Sequence, residues 1–88
     1  MRLEYDAEVD AAYIALRDVA HVHRTELLDE DRLVDYVGNE PVGIELLNVR
    51  LGVNVSDLPQ ADAVAQLLQD ELGMQRSSLF SPLLKAAS

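Results

Sequence analysis

The sequence predicts an α+β fold: an antiparallel β-meander of four to five strands, with one amphipathic C-terminal helix packed on one face. Two observations predict it. Up to residue 49, apolar and β-branched residues come in short alternating runs, separated by acidic clusters and by Gly, Asn and Pro. That is the pattern of strands joined by tight turns. From residue 57 the apolar spacing lengthens from two to about 3.6, the period of a helix.

The chain opens on a hairpin. Leu3 and Tyr5 alternate in a short strand, residues 6–10 form an acidic turn, and residues 11–16 return as a second strand. Tyr13, Ile14 and Leu16 favour the extended backbone. A polar connection at 17–20 follows. Residues 21–28 alternate again, with Val22, Arg24 and Glu26 on one side and His23, Thr25 and Leu27 on the other. They read as a strand. Three like charges at 29–31 belong in a solvated turn. Residues 32–37 make the next strand. Gly38 and Asn39 tolerate positive φ and Pro41 cannot donate to a ladder, so 38–41 is a turn. Residues 42–49 close the sheet. Residues 50–55 read two ways, as a continuation of that strand or as a short extra one, and Gly52 weakens both.

The helix spans 57–73. Ala61, Val64, Ala65, Leu68 and Leu72 form its apolar stripe. Asp57 is placed to cap it, with Gln60 completing a capping box and Pro59 in the first turn. Gly73 is placed to end it. Residues 74–88 contain serines and Pro82, but also Leu79, Phe80, Leu83 and Leu84. They either fray, as termini commonly do, or dock on the sheet or on a second chain.

All 88 residues fit one domain, divided into a sheet (1–49), a helix (57–73) and an extension (74–88). So short a chain has a small core, which oligomerisation would help. The apolar share of 49% is that of a folded domain. The absence of cysteine excludes disulfides and thiolate metal sites, in keeping with a reducing cytoplasm. The net charge of −9 disfavours unaided nucleic-acid binding and favours a basic partner. No apolar run reaches membrane-spanning length, and the start lacks a signal-peptide layout.

Tyr5-Asp6, Asp10, Tyr13-Ile14 and Leu16, then Thr25-Glu26, Val34-Asp35 and Gly43-Ile44-Glu45-Leu46-Leu47 form a combined pattern. It resembles a widespread family of small bacterial domains of unknown function, with the pattern YDxxxDxxYIxL followed by T.E, VD and GIEIL. The resemblance covers residues 1–49. It implies a compact antiparallel sheet domain. For relatives encoded beside small toxin-like proteins it implies an antitoxin-type role. The family's acidic Asp-x-x-Gly turn is replaced here by Val37-Gly38-Asn39-Glu40-Pro41, one residue shorter. No catalytic set carries over.

Several residues are candidates for chemistry. Asp6, Asp10 and Glu45, if they converge, offer oxygen ligands to a divalent cation such as Mg²⁺. The plainer reading gives the two aspartates Asx bonds to turn amides and makes Glu45 a sheet-face charge. His21 and His23, two apart on one strand, offer a Zn²⁺ pair or acid–base groups, but two nitrogens are too few without a second chain. Thr25 near His23 matches no nucleophile motif, and the four glycines match no phosphate loop. Tyr5 and Tyr13 read as packing residues. The sequence therefore assigns no catalytic residue and no cofactor.

Association is the leading reading. In the second strand Ala12, Ile14 and Leu16 oppose Ala11, Tyr13 and Ala15, so both faces look apolar. The last strand repeats this with Val42, Ile44 and Leu46 against Leu47 and Val49. One helix covers one face. The other needs the tail or a second copy, with Ala11, Tyr13, Ala15, Leu47 and Val49 at the interface. The chain reads as a homodimeric, acidic protein-binding module, antitoxin-like or regulatory. The alternative is a small enzyme or metal-binding protein using the carboxylates and histidines.

Overall fold

A computed structural model describes residues 1–80. The chain is α+β, with a five-stranded antiparallel sheet and one α-helix. It divides into two units, Met1–Val49 and Arg50–Ser88. The boundary falls where the strand pattern ends in the sequence. Among the described residues no helix is long and apolar enough to cross a membrane.

The first unit is the sheet. Its strands are β1 (Arg2–Asp6), β2 (Ala11–Ala15), β3 (Arg24–Asp29), β4 (Arg32–Val37) and β5 (Glu40–Leu47), in spatial order β1-β2-β5-β4-β3. Strands β3, β4 and β5 follow one another as a meander, while β2 pairs with β5. The connection at 16–23 therefore carries the chain to the far edge. Ile14 and Ile44 meet in the β2–β5 pair, and Val34 meets Ile44 from β4. With Ala12, Val42 and Leu46 they form the buried face.

The turns follow from their residues. In the β1–β2 turn the Glu8 N–H donates to Asp6 Oδ1 at 3.0 Å, an Asx turn. Asp10 takes the left-handed conformation at φ 56°, which Asp tolerates better than most residues. In the β3–β4 turn the Asp31 N–H and Arg32 Nε both donate to the Asp29 carboxylate, at 2.9 and 2.8 Å. That pairing lets Arg32 be buried with only 7% of its surface exposed, a cost an unpaired guanidinium could not meet. Between β4 and β5, Val37 pairs with Glu40, so the loop is Gly38 and Asn39 alone. Gly38 adopts φ 62°, the conformation glycine enters without penalty.

Glu40 and Pro41, expected in that turn, are the first residues of β5. Pro41 has no N–H, and the register slips beside it: Asp35 pairs with Gly43 but Tyr36 with Pro41. A bulge at proline is what an inner strand requires.

In the second unit a short 3-10 turn (Val49–Leu51) leads into β6 (Val53–Asn54), which pairs in parallel with β7 (Leu79–Phe80). Residues 79–80 thus join a two-stranded ladder rather than fraying. Residues 81–88, including the Leu83 and Leu84 of the expected docking segment, lie outside the described residues. The helix α1 (Ala61–Leu72) buries Val64 and Leu68, and Gly73 ends it at φ 65° with its N–H on the Leu68 carbonyl. The start differs from expectation. Gln60, not Asp57, is the N-cap, without a side-chain bond, and Pro59 lies outside the helix. The reason is local. Leu58 is buried and its N–H turns back to the Val55 carbonyl at 3.4 Å. Asp57 and Gln60 both take positive φ before the helix begins.

Candidate functional site

The register assigns every strand residue to a face. Opposite the buried side, β2 presents Ala11, Tyr13 and Ala15, β5 presents Gly43, Glu45 and Leu47, and β4 presents Leu33 and Asp35. Arg2, Glu4 and Asp6 of β1 and Thr25 and Leu27 of β3 complete this outer face. The expectation of two apolar faces is corrected here. The outer face carries carboxylates at Glu4, Asp6, Asp35 and Glu45. Of the two strands, β2 alone keeps an apolar outer side, since β5 carries Glu45 there and its neighbours add the rest.

A hydrogen-bonded row crosses the outer face. Tyr13 is opposite Glu45, yet its ring leans diagonally over Gly43 and its phenol donates to Asp35 Oδ2 at 2.9 Å. A Cβ at Gly43 would lie 2.0 Å from the Tyr13 hydroxyl oxygen. The bare backbone of that glycine is thus what admits the ring. Thr25, opposite Asp35 on the next strand, donates its hydroxyl to Oδ1 at 2.6 Å. Asp35, on β4, thereby links β2 to β3 through its two oxygens.

The chemistry of the row follows from these bonds. Tyr13 is pushed up to about pKa 12, first by burial, then by the Asp35 hydrogen bond and the negative charge of Asp35 and Glu45. Tyr13 and Thr25 both donate their hydroxyl hydrogens to Asp35, which leaves their oxygens as acceptors. With Glu45 beside them they present acceptors and negative charge. An open groove runs alongside, lined in part by Glu4, Asp6, Val9, Tyr13 and Glu45.

The convergence of Asp6, Asp10 and Glu45 weighed as a cation site does not form. Asp6 accepts its turn amide, as the plainer reading had it. Asp10 accepts the Tyr5 phenol at 2.6 Å, and its carbonyl accepts the Val49 N–H at 3.2 Å. Glu45 stands on the outer face against Tyr13. Among the described residues no three His, Cys, Asp or Glu side chains gather as metal ligands. The histidines are not two apart on a strand either, because β3 begins at Arg24. His23 Nδ1 accepts the Gly38 N–H at 3.1 Å, and the His23 backbone N–H donates to the Tyr36 carbonyl at 2.8 Å. These bonds tie residue 23 to the end of the β4–β5 hairpin, outside the ladder. His21 is exposed in the preceding segment.

Of the expected interface residues, Ala11, Tyr13 and Leu47 are half-buried on the outer face. Ala15 and Val49 are already buried within the chain. Asp35, Thr25 and Gly43 were not singled out as site residues. The signal that marks them is the family pattern itself, in which T.E, VD and GIE supply the three strands of the row besides β2.

This is a small sheet domain in which Tyr13, Gly43, Asp35 and Thr25 of the pattern meet on one face. Residues 2–50 match the family described as protein of unknown function, DUF2283, and the chain belongs to that family. No curated protein and no solved structure matches the chain.

Proposed function

We propose that the chain is a small acidic protein-binding module, antitoxin-like or regulatory, whose outer face engages a basic partner. The observation that carries this is the Tyr13–Asp35–Thr25 row. Its hydroxyls are spent on Asp35, and Glu45 stands beside it. Such a row is matched by a surface of N–H donors and positive charge. Leu33 and Leu47 flank it half-buried, and Leu27 is exposed, which supplies the apolar part an interface needs. The net charge of −9 acts in the same direction at longer range. A cytoplasmic setting belongs to this reading, in keeping with a chain free of cysteine.

The test is purification from the native host, then reconstitution with the product of the neighbouring gene. The expected result is a stoichiometric complex that weakens as salt rises and loses at least tenfold in affinity with Glu45→Lys. A complex indifferent to both would refute the assignment.

A homodimer is the second reading. The half-exposed Ala11, Tyr13 and Leu47 support it, while the like charges of Glu4, Asp6, Asp35 and Glu45 on the same face oppose it. Light scattering at micromolar concentration decides, since a monomer there rules it out.

A further inference from the structure

We propose that the outer edge of β3 accepts an extended basic segment of a partner protein as a sixth strand; this rests on the binding-module reading. β3 ends the sheet, and no described strand pairs with its outer edge. Residues 24–28 are exposed without exception, and Leu27 shows 67% of its surface. An edge with open backbone groups and apolar side chains is a template for strand addition.

Edges are commonly blunted by bulges or charges, so the details of this one matter. The irregularity in the β3–β4 ladder lies between Leu27 and Asp29. Residues 24–27 therefore keep regular register. The positive charges near the edge are engaged internally. Arg24 stacks 4.1 Å from the Tyr36 ring centre, donates to the Gly38 carbonyl at 2.8 Å and pairs with Glu26 at 3.0 Å. Arg32 is buried against Asp29. Residues 24–47 hold seven acids and only these two arginines. A second copy of this acidic strand meets like charge. A segment alternating Lys or Arg with apolar residues can cover Leu27 on one face and meet Glu26 on the other.

The test uses the full chain and two synthetic peptides of equal length, one alternating Lys and Val, the other Glu and Val. Binding is measured by calorimetry and located by amide NMR. The expected result is binding of the Lys-Val peptide alone, with shifts concentrated at residues 24–29. Leu27→Lys should weaken it at least tenfold without changing the melting temperature. Glu26→Lys should weaken it more than Glu71→Lys on α1, although both make the same charge change. Equal effects of those two variants would reduce the attraction to net charge and overturn the edge. Shifts centred on Tyr13 and Glu45 overturn the edge but leave the module reading standing. No binding by either peptide overturns the edge and leaves the module reading to its own test with Glu45→Lys. A dimer broken by Leu27→Lys assigns the edge to a second copy and overturns the proposal.

Discussion

Tyr13 reaches Asp35 by lying across the bare backbone of Gly43, two residues along β5 from its own cross-strand partner. A methyl group at Gly43 and the Tyr13–Asp35 bond are therefore mutually exclusive. Gly43→Ala should cost about 1–3 kcal/mol by overpacking, and Tyr13→Phe about 1 kcal/mol by loss of the bond. In a Tyr13→Ala background the Gly43→Ala cost should shrink, giving a measurable coupling in a double-mutant cycle by urea denaturation. Strict additivity would contradict the geometry.

The raised Tyr13 pKa makes stability depend on alkali. The folded value, about 12, exceeds the ordinary value of 10.0. The unfolded chain therefore loses the proton first, and the stability tied to this group is intact below pH 10 and lost as pH rises through about 12. Phenolate absorbance should show a late-titrating step that Tyr13→Phe deletes. Survival of the step in the variant would contradict this.

Asp29 acts at the other end of the scale. Burial works against its charge, but the Asp31 N–H and the Arg32 guanidinium outweigh it and hold the carboxyl below its ordinary value of 3.8. Its contribution is present above that value and fades as pH falls through the lower folded one. Asp29→Asn should lower stability at neutral pH and flatten the acid limb of the stability curve. An unchanged limb would show that other carboxylates govern acid unfolding.

Gly38 separates backbone cost from packing cost. It has φ 62° and nothing within 4 Å of a Cβ placed there. Gly38→Ala should cost about 1–2 kcal/mol, from the left-handed conformation alone. Truncating Tyr13 should leave that figure unchanged, in contrast with Gly43. Thermal melts of the single and double variants check this.

Much of the sheet is legible locally. Strands β1, β2 and β4 lie where alternation places them, because side-chain period and turn residues are properties of neighbours in sequence. The end of the helix at Gly73 is legible for the same reason. Its start is not, because burial of Leu58 turns the backbone away from the capping box that Asp57 and Gln60 spell. The histidine pair fails in a similar way. Alternation continues from 21 into β3, but pairing with β4 begins only at Arg24.

By itself the sequence determined the α+β class, the hairpins, the acidic field and the pattern that places the chain in its family. Only the tertiary structure decided that β2 pairs with β5 and that Tyr13, Gly43, Asp35 and Thr25 share a row. The physical reason is that alternation fixes which residues of one strand share a side, while cross-strand register fixes what stands beside them. Register is set by pairing between distant segments.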